Sequence, residues 1–139
     1  MTVFVDTNVL VYAHDTRDKA KAAAAIALLT ELWADGAGAV STQVLQEFYS
    51  VATGKLRPPM SPAEARQVVA DYAEWAVVET TAQLILSATV LHERHEVSFW
   101  DALIVEAALL AGADTLLTED LQHGQQFGAL TVRNPFLAE

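Results

Sequence analysis

Short apolar runs alternating with longer helical patterns constrain this chain most, because a carboxylate stands close beyond the end of each of several runs. Thr2-Val3-Phe4-Val5 reads as a buried strand from its β-branched and aromatic content, and it ends at Asp6. Thr115-Leu116-Leu117-Thr118 is a second such run, with Glu119 and Asp120 directly beyond it. Ala39-Val40-Ser41 is a third, followed by a helix from about Gln43 to Ala52 that carries Glu47. Asp101 opens a very apolar helix that Ser98 caps and that runs to Ala111 before Gly112. This alternation predicts an α/β fold of three layers, a central mainly parallel sheet flanked by helices. In such a sheet the carboxyl ends of strands and the starts of the following helices share one edge, where open α/β sheets bind ligands. Asp6, Glu47, Asp101 and Asp120 are therefore expected to converge there.

The rest of the chain fills the same plan. Val9 to Ala13 suits a helical turn, and Lys19 to Ala34 an Ala-rich helix with apolar spacing at Ile26, Leu29 and Trp33, ended by Gly36. Ser61-Pro62-Ala63-Glu64 combines an N-cap serine, proline at the first helical position and a capping-box glutamate. That helix is expected to reach about Trp75. Val77-Val78-Glu79 suits a short strand, Thr81 to His95 a helix, and Leu130-Thr131-Val132 the last strand. Trp33, Trp75 and Trp100 read as core or interface residues. No repeat or linker interrupts the 139 residues, so residues 1–139 are expected to form one domain.

Composition narrows the function classes. Without cysteine there are no disulfides, thiolate metal sites or cysteine nucleophiles, which fits a reducing cytoplasm. No basic region precedes Val3, so no signal peptide is expected, and the apolar stretch from Ala102 to Ala113 is interrupted by Glu106 and too short to span a bilayer. A soluble, non-membrane protein is expected. The net charge of −10 argues against a broad nucleic-acid-binding face. Five of the eight basic residues nevertheless fall in two clusters, Arg17, Lys19 and Lys21, then Lys55 and Arg57. These are candidates for local contact with phosphates.

Convergence of four acids has a cost. Two carboxylates about 6 Å apart, at an effective dielectric of about 20, repel by about 3 kcal/mol. The stability of a whole domain is only about 5–15 kcal/mol. A divalent cation relieves that repulsion, and hard oxygen donors suit Mg²⁺ or Mn²⁺. Each acid also has a plainer reading. Asp6 can cap the turn at Val9–Ala13 or serve as a phosphatase or phosphoacceptor nucleophile, although the haloacid-dehalogenase pattern needs an aspartate where Asn8 stands. Glu47, on one stripe with Gln43, Gln46 and Ser50, can belong to a solvated face, and Asp101 can serve the dipole of its helix. Thr118-Glu119-Asp120 can form a capping turn, and local sequence does not say which acid points inward. His92 and His95 have zinc-compatible spacing beside Glu93 and Glu96, with no distinctive third ligand.

Four segments in order, Val3-Phe4-Val5-Asp6-Thr7-Asn8-Val9-Leu10, Gln43-Val44-Leu45-Gln46-Glu47-Phe48, Ser98-Phe99-Trp100-Asp101-Ala102-Leu103-Ile104 and Leu117-Thr118-Glu119-Asp120, resemble the PIN-domain family. The likeness is to the VapC-type toxins of bacterial type II toxin–antitoxin pairs and extends to Asn134-Pro135-Phe136. The chain departs from the family's last motif in one place, with His123 in the aromatic slot; Asp120 is preferred to Glu119 as the fourth acid. The resemblance implies a metal-dependent endoribonuclease that hydrolyses RNA phosphodiester bonds, is neutralised by a cognate antitoxin and needs Mg²⁺ or Mn²⁺. It implies Asp6 and Asp101 as principal ligands, with Glu47 and Asp120 binding directly, through water or at a second metal. Thr7, Asn8 and Thr118, with Glu119, would support them. A non-catalytic PIN-like scaffold remains the other class, and the apolar content predicts a homodimer.

Overall fold

The computed structural model describes residues 1–137. Its first strand, β1 (Val3–Val5), is wholly buried and lies between two parallel neighbours, β2 (Gly38–Ser41) and β4 (Thr115–Leu117). The sheet continues outward through β3 (Ala76–Val78) on one side and β6 (Leu130–Arg133) on the other, both parallel. A two-residue strand, β5 (Gln126–Phe127), closes that edge antiparallel to β6, giving the order β3-β2-β1-β4-β6-β5. Runs buried on both faces are what a parallel sheet under helices requires, and they explain the continuous apolar stretches in the sequence. β5 has no apolar run of its own; its pairing with β6 defines it.

Six helices are present among the described residues: α1 (Thr7–Tyr12), α2 (Lys19–Asp35), α3 (Thr42–Gly54), α4 (Pro62–Tyr72), α5 (Ala82–Arg94) and α6 (Phe99–Leu110). α3 packs on α1 and α4, while α5 and α6 form a separate pair. Right-handed crossovers place the first four on one face of the sheet and the last two on the other, because the chain reverses direction across the sheet between β3 and β4. Most starts and stops are local chemistry. Ser61 and Glu64 form the reciprocal capping box, Ser98 caps α6, and Gly36 ends α2 at φ 64°. α4 stops at Tyr72, short of Trp75, whose ring packs on Tyr72 and Trp33 before the chain enters β3.

One helix differs from the periodicity reading. α2 buries Ala25, Leu29 and Leu32, while Ile26 and Trp33 remain substantially exposed. In an Ala-rich helix several stripes are equally apolar, so the neighbours choose among them. Trp100 is likewise exposed, not core. No helix among the described residues is long and apolar enough to cross a membrane.

The topology fixes where a site can form. From β1 the chain runs outward to β2 and β3, then crosses back to β4 on the other side of β1. The carboxyl ends of β1 and β4 thus flank the switch point, where adjacent connections leave in opposite directions and a crevice opens. Val5 is in register with Leu117, which sets Asp6 beside Thr118.

Candidate acidic site at the carboxyl edge of the sheet

Asp6 occupies the centre of that crevice. Its backbone N–H continues the sheet by donating to Leu117 O at 3.0 Å, and its side chain caps α1. Oδ1 accepts from the Thr7 N–H at 2.7 Å, and Oδ2 accepts from the Thr118 hydroxyl at 2.8 Å, with the Asn8 amide at 3.4 Å. The residue is only 5% exposed. Burial pushes its carboxyl up to about 7, against the lowering effect of Thr118 and Thr7 and with help from the charges of Asp120 and Glu47. Capping and membership of an acid cluster are both true of Asp6.

The segment after β4 alternates in direction. Thr118 is buried and turned to Asp6; Asp120 is turned to Asn8, whose Nδ2 donates to its Oδ2 at 3.1 Å. Between them, Glu119 points away and meets Lys21 Nζ at 2.9 Å. Asn8 also donates to Thr118 Oγ1 at 3.2 Å and accepts from the Glu119 N–H at 3.3 Å, so one amide holds all three residues. His123, in the place of the expected aromatic residue, accepts from the Asn134 N–H at 3.0 Å and ties this loop to the end of β6.

The other two acids approach from opposite layers of helices. Glu47, on α3, accepts from Thr7 Oγ1 at 3.4 Å. Its carboxyl is raised by partial burial, and the charges of Asp120 and Asp101 add to this. Asp101 lies in the first turn of α6, where its N–H donates to Ser98 Oγ at 3.0 Å. Its carboxyl is also raised by burial, with Asp120 again contributing. Burial is the main cause of each shift, and the smaller charge contributions link Asp120 to Asp6, Glu47 and Asp101; Glu47 itself keeps an exposed side chain at the rim of the crevice. Gln43, which the sequence placed on the polar stripe of Glu47 but not among the site residues, is buried at the start of α3, lowers the Glu47 carboxyl through a hydrogen bond and donates to Trp100 O at 3.4 Å. Its i, i+4 spacing from Glu47 was the available signal.

Among the described residues no three acidic or histidine side chains close on one point tightly enough to hold an ion directly. The donor set still suits a hard cation, since all four groups are carboxylates. Mg²⁺ keeps several of its waters and needs only one or two protein carboxylates. The fit is therefore to a hydrated ion.

The basic clusters divide. Arg17 is bound to Asp15 through Nε and Nη2, each at 3.0 Å, and Lys21 is held by Glu119, while Lys19 is exposed at the start of α2. Lys55 and Arg57 follow the end of α3, which starts at the acidic edge and runs away from it, so the fold does not bring them to the acids. His92 Nδ1 donates to Val97 O at 2.7 Å and His95 packs on Phe127; no third ligand joins them among the described residues. A cavity of about 470 Å³ lined by His14, Trp33, Asp71 and Tyr72 lies elsewhere, against α2 and α4.

A family model described as the PIN domain matches residues 3–125. No curated protein matches the chain. Among solved structures, FitAB bound to an IR36 DNA fragment superposes with a TM-score of 0.72 at 17% identity, covering 99% of this chain and 98% of that one. VapBC2 from Rickettsia felis, bound to a DNA fragment from its promoter, gives 0.66 at 18% identity, covering 96% and 98%. VapC20 of Mycobacterium tuberculosis, a toxin that cleaves the sarcin–ricin loop, gives 0.60 at 22% identity, covering 83% and 87%.

Proposed function

Since the chain belongs to the PIN-domain family, a family of nucleases, we propose that it is a divalent-metal-dependent endoribonuclease and the toxin of a toxin–antitoxin pair. The observation that carries this reading is the hydrogen-bonded network of Thr7, Asn8 and Thr118 that gathers Asp6, Glu47 and Asp120 at the β1–β4 crevice, with Asp101 close enough to feel the charge of Asp120. Asp6 and Asp101 would be the principal holders of Mg²⁺ or Mn²⁺, with Glu47 and Asp120 acting through water or at a second ion. Such an ion supplies a water of lowered pKa and offsets charge on the phosphate. The protein's own part is orientation: Thr118 and Thr7 fix both oxygens of Asp6, and Asn8 fixes Asp120. The same bonds weigh against Asp6 as a phosphoacceptor, because a buried carboxylate with both oxygens engaged is a poor nucleophile.

Substrate and partners are proposed by analogy with the relatives. RNA is the proposed substrate, approached past Lys19 and the Arg17–Lys21 segment, in the cytoplasm. Because a toxin–antitoxin complex from Klebsiella pneumoniae shares this fold, with a TM-score of 0.68 at 16% identity, an antitoxin is proposed here too. A basic antitoxin segment suits the acidic edge, and an antitoxin arginine could bind Asp6 or Asp101 in two-pronged fashion and compete with the ion. Exposed Leu86, Val90, Trp100 and Leu110 on or beside α5 and α6 support a homodimer.

Asp6→Asn and Asp101→Asn test the reading. Each should abolish Mg²⁺- or Mn²⁺-dependent RNA cleavage while leaving the circular dichroism spectrum unchanged. Cleavage that survives excess EDTA, or survives in both variants, would sink it.

A further inference from the structure

We propose that Lys21 is a positioning residue: by holding the Glu119 carboxylate outside the acidic edge, it fixes the register in which Asp120 faces the crevice. The inference rests on the nuclease reading. Two acids stand side by side in the bend after β4, and a shift of one residue would exchange which of them meets Asn8 and which meets Lys21. On the inner side the register is held by neutral donors of Asn8, at 3.1 Å to Asp120 Oδ2 and 3.2 Å to Thr118 Oγ1. On the outer side it is held by a bond between two ionised groups, from Lys21 Nζ to Glu119 Oε1 at 2.9 Å, the shortest of these contacts.

The lysine is placed before Glu119 meets it. Its Nζ donates to Tyr12 OH at 3.2 Å and lies 4.5 Å from the Tyr12 ring centre and 5.4 Å from that of Phe136. Those two rings pack edge to face at 5.0 Å. The ammonium therefore sits in a seat built from α1 and the segment after β6. Exposed ion pairs contribute little, but both partners here are partly shielded, at 32% and 23% side-chain exposure. For Lys21 to serve an RNA phosphate instead, the substrate would have to displace Glu119. Without Lys21, an unpaired carboxylate remains one residue from Asp120, free to enter the crevice.

The test is a double-mutant cycle in the full chain: wild type, Lys21→Met, Glu119→Gln and the double variant, with Lys21→Arg as the conservative control. Lys21→Met keeps the stem over the rings and removes the charge; Lys21→Gln replaces it should the first fold poorly. RNA cleavage in saturating Mn²⁺ should lose about tenfold in kcat on Lys21→Met, with KM within about twofold. Lys21→Arg should retain most activity. In the Glu119→Gln background the same lysine substitution should cost less than about twofold, since no carboxylate is left to intrude. A raised KM with unchanged kcat, not relieved by Glu119→Gln, would make Lys21 a phosphate contact and overturn the proposal. Equal losses in both backgrounds would make it a structural residue only. The Asn8 side-chain amide, followed by NMR, gives a readout free of activity. Its resonances should move on Lys21→Met and return in the double variant; resonances that stay put also overturn the proposal. If the wild type cleaves no RNA, the nuclease reading fails while the Asn8 signal still decides the role of Lys21.

Discussion

The Thr118 hydroxyl donates a buried 2.8 Å hydrogen bond to Oδ2 of Asp6, joining residues 112 positions apart across the carboxyl ends of β4 and β1. It is the shorter of two bonds to that oxygen; the other comes from Asn8 at 3.4 Å. Thr118→Val keeps the shape and removes the donor. Since the bond helps hold the Asp6 carboxyl down to about 7 against the effect of burial, its loss should move the acid limb of the cleavage pH profile upward. Leaving a buried acceptor short of a partner should also cost about 1–3 kcal/mol in urea unfolding. An unmoved acid limb would separate Asp6 from the chemistry.

Asp6 should make the metal-free protein less stable as pH rises. Its folded pKa of about 7 lies above the ordinary 3.8, so between those values the folded state holds a proton that the unfolded state has lost. Stability gained from that proton is complete below the lower value and lost as pH climbs through the upper one. Asp6→Asn does not titrate. In EDTA it should match wild type near pH 4 and exceed it near pH 8 by on the order of 2–4 kcal/mol. Parallel pH curves for the two proteins would contradict the shift.

Divalent metal should reverse that penalty. Mn²⁺ at about 100 times its dissociation constant should add about 2.7 kcal/mol, a melting shift of a few degrees for a domain of this size. The shift should shrink as pH falls below 7, where a proton occupies Asp6, and disappear in Asp6→Asn. A Mn²⁺ titration at pH 8 with no shift would mean the acids do not cooperate in binding.

Gly38 tests the scaffold apart from the site. A Cβ there would lie 2.5 Å from ring carbons of Trp75, which packs over the start of β2. Gly38→Ala must displace that ring from its contacts with Trp33 and Tyr72, at about 1–3 kcal/mol. Gly38 sits at the amino end of β2, opposite the acidic edge, so kcat well below the melting temperature should stay within about twofold. A large fall in kcat would show that the aromatic cluster communicates with the crevice.

The sequence by itself determined the strands β1, β2, β3, β4 and β6, the capped starts of α4 and α6, and the placing of four acids near strand ends and helix starts. All of these rest on local chemistry: β-branched runs, side chains that bond their own helix ends, and apolar spacing. Tertiary structure decided what local chemistry leaves balanced. The Ala-rich α2 could bury either of two stripes, and its neighbours chose Ala25, Leu29 and Leu32. β5 exists because β6 pairs with it. Glu119 and Asp120 are equivalent in sequence, and only Lys21 and Asn8, 98 and 112 residues away, turn one outward and the other in. An acid's direction is set by the partner that reaches it, and these partners come from another part of the chain.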